Sequence, residues 1–103
     1  MTLIKSNTKR RARVIKAMGH PSRLAMLEFL SDGEHCVCEL REVVGSDMST
    51  VSKHLSIMKA AGLVDDRKEG LKVFYSLRVP CIVQFLHCVD AVLSGDGGES
   101  RGR

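Results

Sequence analysis

A glycine at position 45 separates two amphipathic segments, and this arrangement constrains the chain more than any other feature. Cys36 to Val44 reads as a short helix with Val37, Leu40, Val43 and Val44 inward. Met48 to Ala61 reads as a second helix, with Val51, Leu55 and Met58 down one face and Ile57 flanking it. Gly45 supplies the turn, because glycine enters the left-handed region without a steric penalty. Asp47 is placed to cap the second helix and Gly62 to close it. Two short helices around a tight glycine turn are a helix-turn-helix pattern.

The segments on either side extend the pattern. Leu63 to Lys68 and Leu71 to Leu77 read as strands joined across Glu69-Gly70, a hairpin with Arg67, Lys68 and Lys72 at its tip. Ahead of the pair, Ser22 is expected to cap a helix after Pro21, with Leu24, Ala25, Leu27, Phe29 and Leu30 on its apolar face and Asp32-Gly33 ending it. Pro80 to Leu93 reads as a last helix. The expected class is mainly α with a small β-hairpin, a winged helix-turn-helix. Residues 1–13 are expected to form a basic arm, 14–93 the DNA-binding and dimerisation domain, and 94–103 a Gly-rich, polar, disordered tail.

The chemistry of the second helix fits a major groove. Ser49, Thr50, Ser52, Lys53 and His54 occupy its N-terminal half, the end that meets base edges and phosphates. His54 has an equal claim as a partly buried residue bonded to backbone. Lys68 and Lys72 on the wing suit the adjacent groove or backbone, and they also blunt an exposed edge strand. The chain carries a formal net charge of +4 over 103 residues, with a basic arm of Lys5, Lys9, Arg10, Arg11, Arg13 and Lys16. That balance favours a polyanionic partner. With no Trp and one Tyr, the core is expected to be aliphatic and rich in Met. No Ser/His/Asp set, phosphate loop or paired carboxylate stands in an activating context, so an enzyme is not expected. No apolar run is long enough to span a membrane, and the opening residues are not expected to act as a signal peptide. The expectation is a cytoplasmic protein with reduced thiols.

Leu40 to Gly45, Ser49-Thr50-Val51-Ser52-Lys53-His54-Leu55 and Ala61-Gly62-Leu63-Val64 together resemble the ArsR/SmtB repressors. Ala17-Met18-Gly19-His20-Pro21-Ser22-Arg23-Leu24 is similar to that family's entry segment, and Val73-Phe74-Tyr75-Ser76-Leu77 to its second wing strand. The likeness covers most of residues 14 to 93. It implies a homodimer formed through the first and last helices, which binds double-stranded operator DNA and releases it when an inducer binds.

Four cysteines stand at positions 36, 38, 81 and 88. Cys36-Val37-Cys38 is similar to the family's metal box. Soft thiolates suit a thiophilic ion: As(III) or Sb(III) first, with Cd(II), Pb(II) or Zn(II) as further candidates. Arsenic-responsive members often carry a third cysteine three residues after the second, where this chain has Arg41. His35, another cysteine or an exogenous thiol would then complete the set. Cys81 and Cys88 share a helix face but lie about 10 Å apart along the axis, too far for one intrahelical bond. They form a candidate second site only by pairing across a dimer, and otherwise serve as small interface residues. The zinc-sensing branch places Asp, His and Glu ligands on this helix, and only Cys81 fits such a position here. His87 and Asp90 are therefore expected to be solvated. A thiol redox or persulfide sensor working through the last helix, and a constitutive DNA-binding module, are the alternatives the residues leave open.

Overall fold

The computed structural model describes residues 5–95, which form five α-helices and a three-stranded sheet. Helices α1 (Ser6–Met18) and α2 (Pro21–Phe29) lead through a 3-10 turn (Leu30–Asp32) into a two-residue strand β1 (His35–Cys36). The pair α3 (Val37–Val44) and α4 (Met48–Ala60) comes next, then β2 (Val64–Glu69), β3 (Lys72–Leu77) and α5 (Ile82–Ser94). The sheet is antiparallel in the order β1-β3-β2. It confirms the hairpin and adds β1, too short to produce a period in the sequence. Gly45 has φ 75° at the end of α3, and Gly70 has φ 64° in the wing turn, where Glu69 pairs with Lys72.

The core is aliphatic and Met-rich. Met26, Leu27, Leu30, Leu40, Val51, Leu55, Met58 and Val64 are its largest fully buried side chains. The buried side chains of α2 are Met26 and Leu27, continued by Leu30 in the 3-10 turn; Leu24 is exposed and Phe29 only partly buried. On α3, Leu40 is inward, whereas Val43 faces out. A nine-residue α2 and an eight-residue α3 offer only two turns each, so one or two side chains anchor each helix. Ser22 is not the cap of α2. His20 takes that position, its Nδ1 accepting from the Ser22 N–H at 3.0 Å, with Pro21 next in the first turn. Pro80 and Cys81 precede α5 rather than opening it.

Helix α5 buries no residue within the chain. Phe85, Val89, Val92 and Leu93 are exposed. Together with Ile15 of α1 and Leu24 of α2, Phe85, Val89 and Leu93 line an apolar groove of about 410 Å³. No described helix is long and apolar enough to cross a membrane. The expected tail, apart from Ser94 ending α5 and Gly95 capping it, lies outside the described residues.

Candidate nucleic-acid interface and thiol site

The N-terminal half of α4 presents Ser49, Thr50, Ser52 and Lys53 to solvent. Asp47 begins the helix: its Oδ1 accepts from the Thr50 N–H at 2.8 Å and from Ser49 Oγ at 2.9 Å. The Thr50 backbone N–H is the main reason the Asp47 carboxyl sits below its usual range.

His54 is placed differently from these four. It is buried, at 9% exposure, and its Nδ1 accepts from Arg23 Nε at 3.0 Å. Arg23 Nη1 also donates to the Ala17 carbonyl, and the His20 ring lies 4.4 Å from that of His54, centroid to centroid. The imidazole thus ties α4 to α2 and to the end of α1, and its partner is a side chain rather than backbone. Burial chiefly, helped by His20, Arg23 and Lys53, pushes its pKa down, so it is held neutral. Sequence reasoning missed Arg23. Its signal was a lone cation one residue before an apolar helical run.

On the wing, Lys68 and Lys72 are exposed near a tip where Leu71 projects fully into solvent. Arg67 does not join them as a free charge. Its Nε and Nη2 each donate to Glu34 at 2.8 Å, Nη1 donates to Glu69 at 2.6 Å, and the guanidinium lies 4.8 Å from the Phe74 ring centroid. This pairing raises the Arg67 pKa and lowers that of Glu34. It also fastens the segment before β1 to the wing.

Cys36 and Cys38 are joined by a disulfide, with Cα atoms 5.3 Å apart. The expectation of reduced thiols does not describe this form. On a continuous helix, residues two apart do not face one another. Here Cys36 is extended, at φ −77° and ψ 159°, and the helix starts only at Val37. That change of conformation brings the sulfurs together. Cys36 is buried and pairs with Phe74 of β3; Cys38 is exposed on the first turn of α3. Glu39 Oε1 accepts from the Cys36 N–H at 3.0 Å and steadies the junction.

His35 is not a free third donor. Its Nε2 lies 2.8 Å from Asp32 Oδ1 and its Nδ1 3.2 Å from Glu39 Oε1, while its ring stacks on Phe29 at 4.1 Å. The contact with Asp32 is the leading cause of its raised pKa. Among the described residues, no group of three or more His, Cys, Asp or Glu side chains is arranged to hold a metal ion. Cys81, just before α5, and Cys88, on it, are exposed free thiols. His87 and Asp90 are exposed, and Asp90 lines the apolar groove.

Residues 20–66 match the model of the bacterial regulatory protein, arsR family. An HTH-type transcriptional regulator of Methanocaldococcus jannaschii is 38% identical over 77% of this chain and 90% of its own length. A cadmium resistance transcriptional regulatory protein homologue (CadC) of Staphylococcus aureus is 40% identical over 73% of the chain, which spans 63% of that protein. A homodimeric winged helix-turn-helix DNA-binding domain from Mycobacterium bovis superposes with a TM-score of 0.75 at 25% identity, covering 100% of this chain and 99% of that one.

Proposed function

The chain belongs to the arsR family of bacterial regulatory proteins, and from that premise we propose that it is a homodimeric repressor released from operator DNA by a thiophilic ion at Cys36 and Cys38. As a member it is a DNA-binding transcriptional regulator with a winged helix, not an enzyme. Ser49, Thr50, Ser52 and Lys53 enter the major groove, and Lys68 and Lys72 reach the flanking backbone. His54 supports the reading helix from behind. The exposed apolar side of α5, with Ile15 of α1, is the dimer face.

The observation that carries the ion-sensing reading is the position of the two sulfurs. They adjoin at the junction where β1, hydrogen-bonded to the wing strand β3, passes into α3, the helix just before the reader. The reduced pair offers two soft donors, which fit As(III) or Sb(III) once a solution thiol supplies the third; Cd(II), Pb(II) and Zn(II) rank below. An ion held between Cys36 and Cys38 would set the angle between β1 and α3, and so the placement of α4 against the wing. A coupling of about 1–3 kcal/mol is typical of such linkage.

The disulfide favours a second reading, a redox switch at this same pair rather than on α5. Two thiols would give two electrons and two protons to a peroxide, ROOH, leaving the disulfide, ROH and water. One experiment separates the readings. Reduced protein bound to a fluorescent promoter duplex is titrated with As(III), Cd(II) and peroxide, beside Cys36→Ser/Cys38→Ser and Cys81→Ser/Cys88→Ser variants. Release by As(III) that is lost only in the first double variant supports ion sensing there. Release by As(III) from that variant as readily as from wild type removes it, and a response to peroxide alone supports the redox switch.

A further inference from the structure

The positive charge is distributed very unevenly. Six of the sixteen Lys and Arg residues lie between positions 5 and 16, and no acidic residue precedes Glu28. The rest of the chain holds ten basic against twelve acidic residues, a formal net of −2 where the whole is +4. The surplus cation that attracts a polyanion is therefore concentrated in the N-terminal segment.

The structure turns the arm into a helix and orders its charges. Lys9, Arg13 and Lys16 are spaced by four and three residues, all exposed, within about 60° of the α1 circumference at 3.6 residues per turn, and the exposed Lys5 precedes them at the N-terminal cap. Among the described residues, none of them forms an ion pair. The paired carboxylates bind elsewhere: Asp66 to Lys59, Glu34 and Glu69 to Arg67, Asp32 and Glu39 to His35. The first turn of α1 has no acidic residue, so Lys5 and Lys9 stand against the positive end of the helix dipole. Stability alone disfavours that arrangement.

The stripe has a direction. Arg13 and Lys16 share a groove with Ile57 and Ala61 of α4 and its cap. Lys53 lies one turn earlier on the row formed by Ile57 and Ala61. A row of exposed Lys53 and Ile57 and partly buried Ala61 thus leads from the reading end of α4 to α1. The apolar groove uses Ile15, on another side of α1, so the stripe does not compete with the dimer face.

We infer that the α1 stripe is a second DNA-contact surface, binding backbone phosphates that flank the bases read by α4. The inference rests on the DNA-binding reading above. Helix α1, thirteen residues long, extends about 20 Å. At about 3.4 Å of duplex axis per base pair, this matches roughly six base pairs beyond the recognised half-site.

The test uses full-length reduced protein and fluorescein-labelled duplexes of random sequence, 20 and 40 base pairs long. Affinity is measured across salt concentrations for wild type, Lys5→Gln/Lys9→Gln/Arg13→Gln/Lys16→Gln, and the milder Lys9→Gln/Arg13→Gln, with helix content and dimer mass checked in parallel. The quadruple variant should bind at least tenfold more weakly at 100 mM salt, with a salt slope shallower by about 0.9 for every phosphate it no longer neutralises. Wild type should also gain more from the longer duplex than the variant does. An unchanged slope in folded, dimeric variants overturns the inference; should the quadruple variant unfold, the double variant decides. A Ser49→Ala/Lys53→Gln variant distinguishes the two failures. If only the stripe is wrong, this head variant alone weakens binding to the promoter duplex. If the DNA-binding reading is wrong, wild type binds neither duplex and no variant differs from it.

Discussion

His54→Ala tests whether this imidazole supports the reading helix or reads DNA itself. The substitution removes the acceptor for the Arg23 Nε–H and truncates a ring that is only 9% exposed. A hydrogen bond to a charged group is worth about 1.5–3 kcal/mol, and the missing ring packing adds to it. The expected destabilisation is about 3 kcal/mol, a large share of the roughly 5–15 kcal/mol typical of a domain. At about 4–8 °C per kcal/mol for a domain of this size, Tm should fall by some 12–24 °C. Urea unfolding at fixed protein concentration measures the change, with Ser52→Ala as an exposed control expected within about 0.5 kcal/mol of wild type. The pH dependence gives an independent check. Because His54 is held neutral in the fold, the unfolded chain takes up a proton that the native chain refuses as pH falls below about 6.5. Wild type should lose stability over that range, and His54→Ala should lack this component. A midpoint within about 0.5 kcal/mol of wild type, combined with weakened DNA binding, would refute the supporting role.

Three further outcomes are expected. His35 has the opposite sign to His54: its raised pKa contributes stability that is fully present below about pH 6.5 and lost as pH rises through the folded value, so His35→Gln should flatten the neutral-to-alkaline limb of a Tm-versus-pH curve. Asp47→Ala should lower the urea midpoint at pH 7, and the difference from wild type should shrink as pH falls through the carboxylate range, because the Asp47 pKa is depressed in the fold. Gly45→Ala should cost about 1 kcal/mol by thermal unfolding, since φ 75° is strained for any residue with a Cβ.

The fold was legible where chain chemistry is local. Gly45, Asp47, Gly62 and the Glu69-Gly70 turn mark the boundaries of the reader and wing, because each position requires a particular backbone geometry or cap. Strand β1 was not legible, because two residues carry no period and their partner lies nearly forty positions away. The exposure of Leu24 and Val43 escaped a helical-face reading for a related reason, since which stripe of a two-turn helix is covered depends on its neighbours. At the site, the exposed polar head of α4 follows from residue type and helix position. The interior place of His54 depends on Arg23, thirty-one residues away. The disulfide depends on Cys36 lying just outside the helix, a boundary one residue later than the sequence pattern indicates.

The central claim, that the Cys36/Cys38 pair and the DNA reader are coupled, is tested most directly by closing the thermodynamic cycle. Arsenite affinity of the reduced protein is measured with and without saturating promoter DNA, and DNA affinity with and without saturating arsenite. Linkage requires both ratios to be equal, and the account predicts a shared weakening of about 5–150-fold that disappears in Cys36→Ser/Cys38→Ser. Arsenite bound at the pair with no change in either affinity would contradict it.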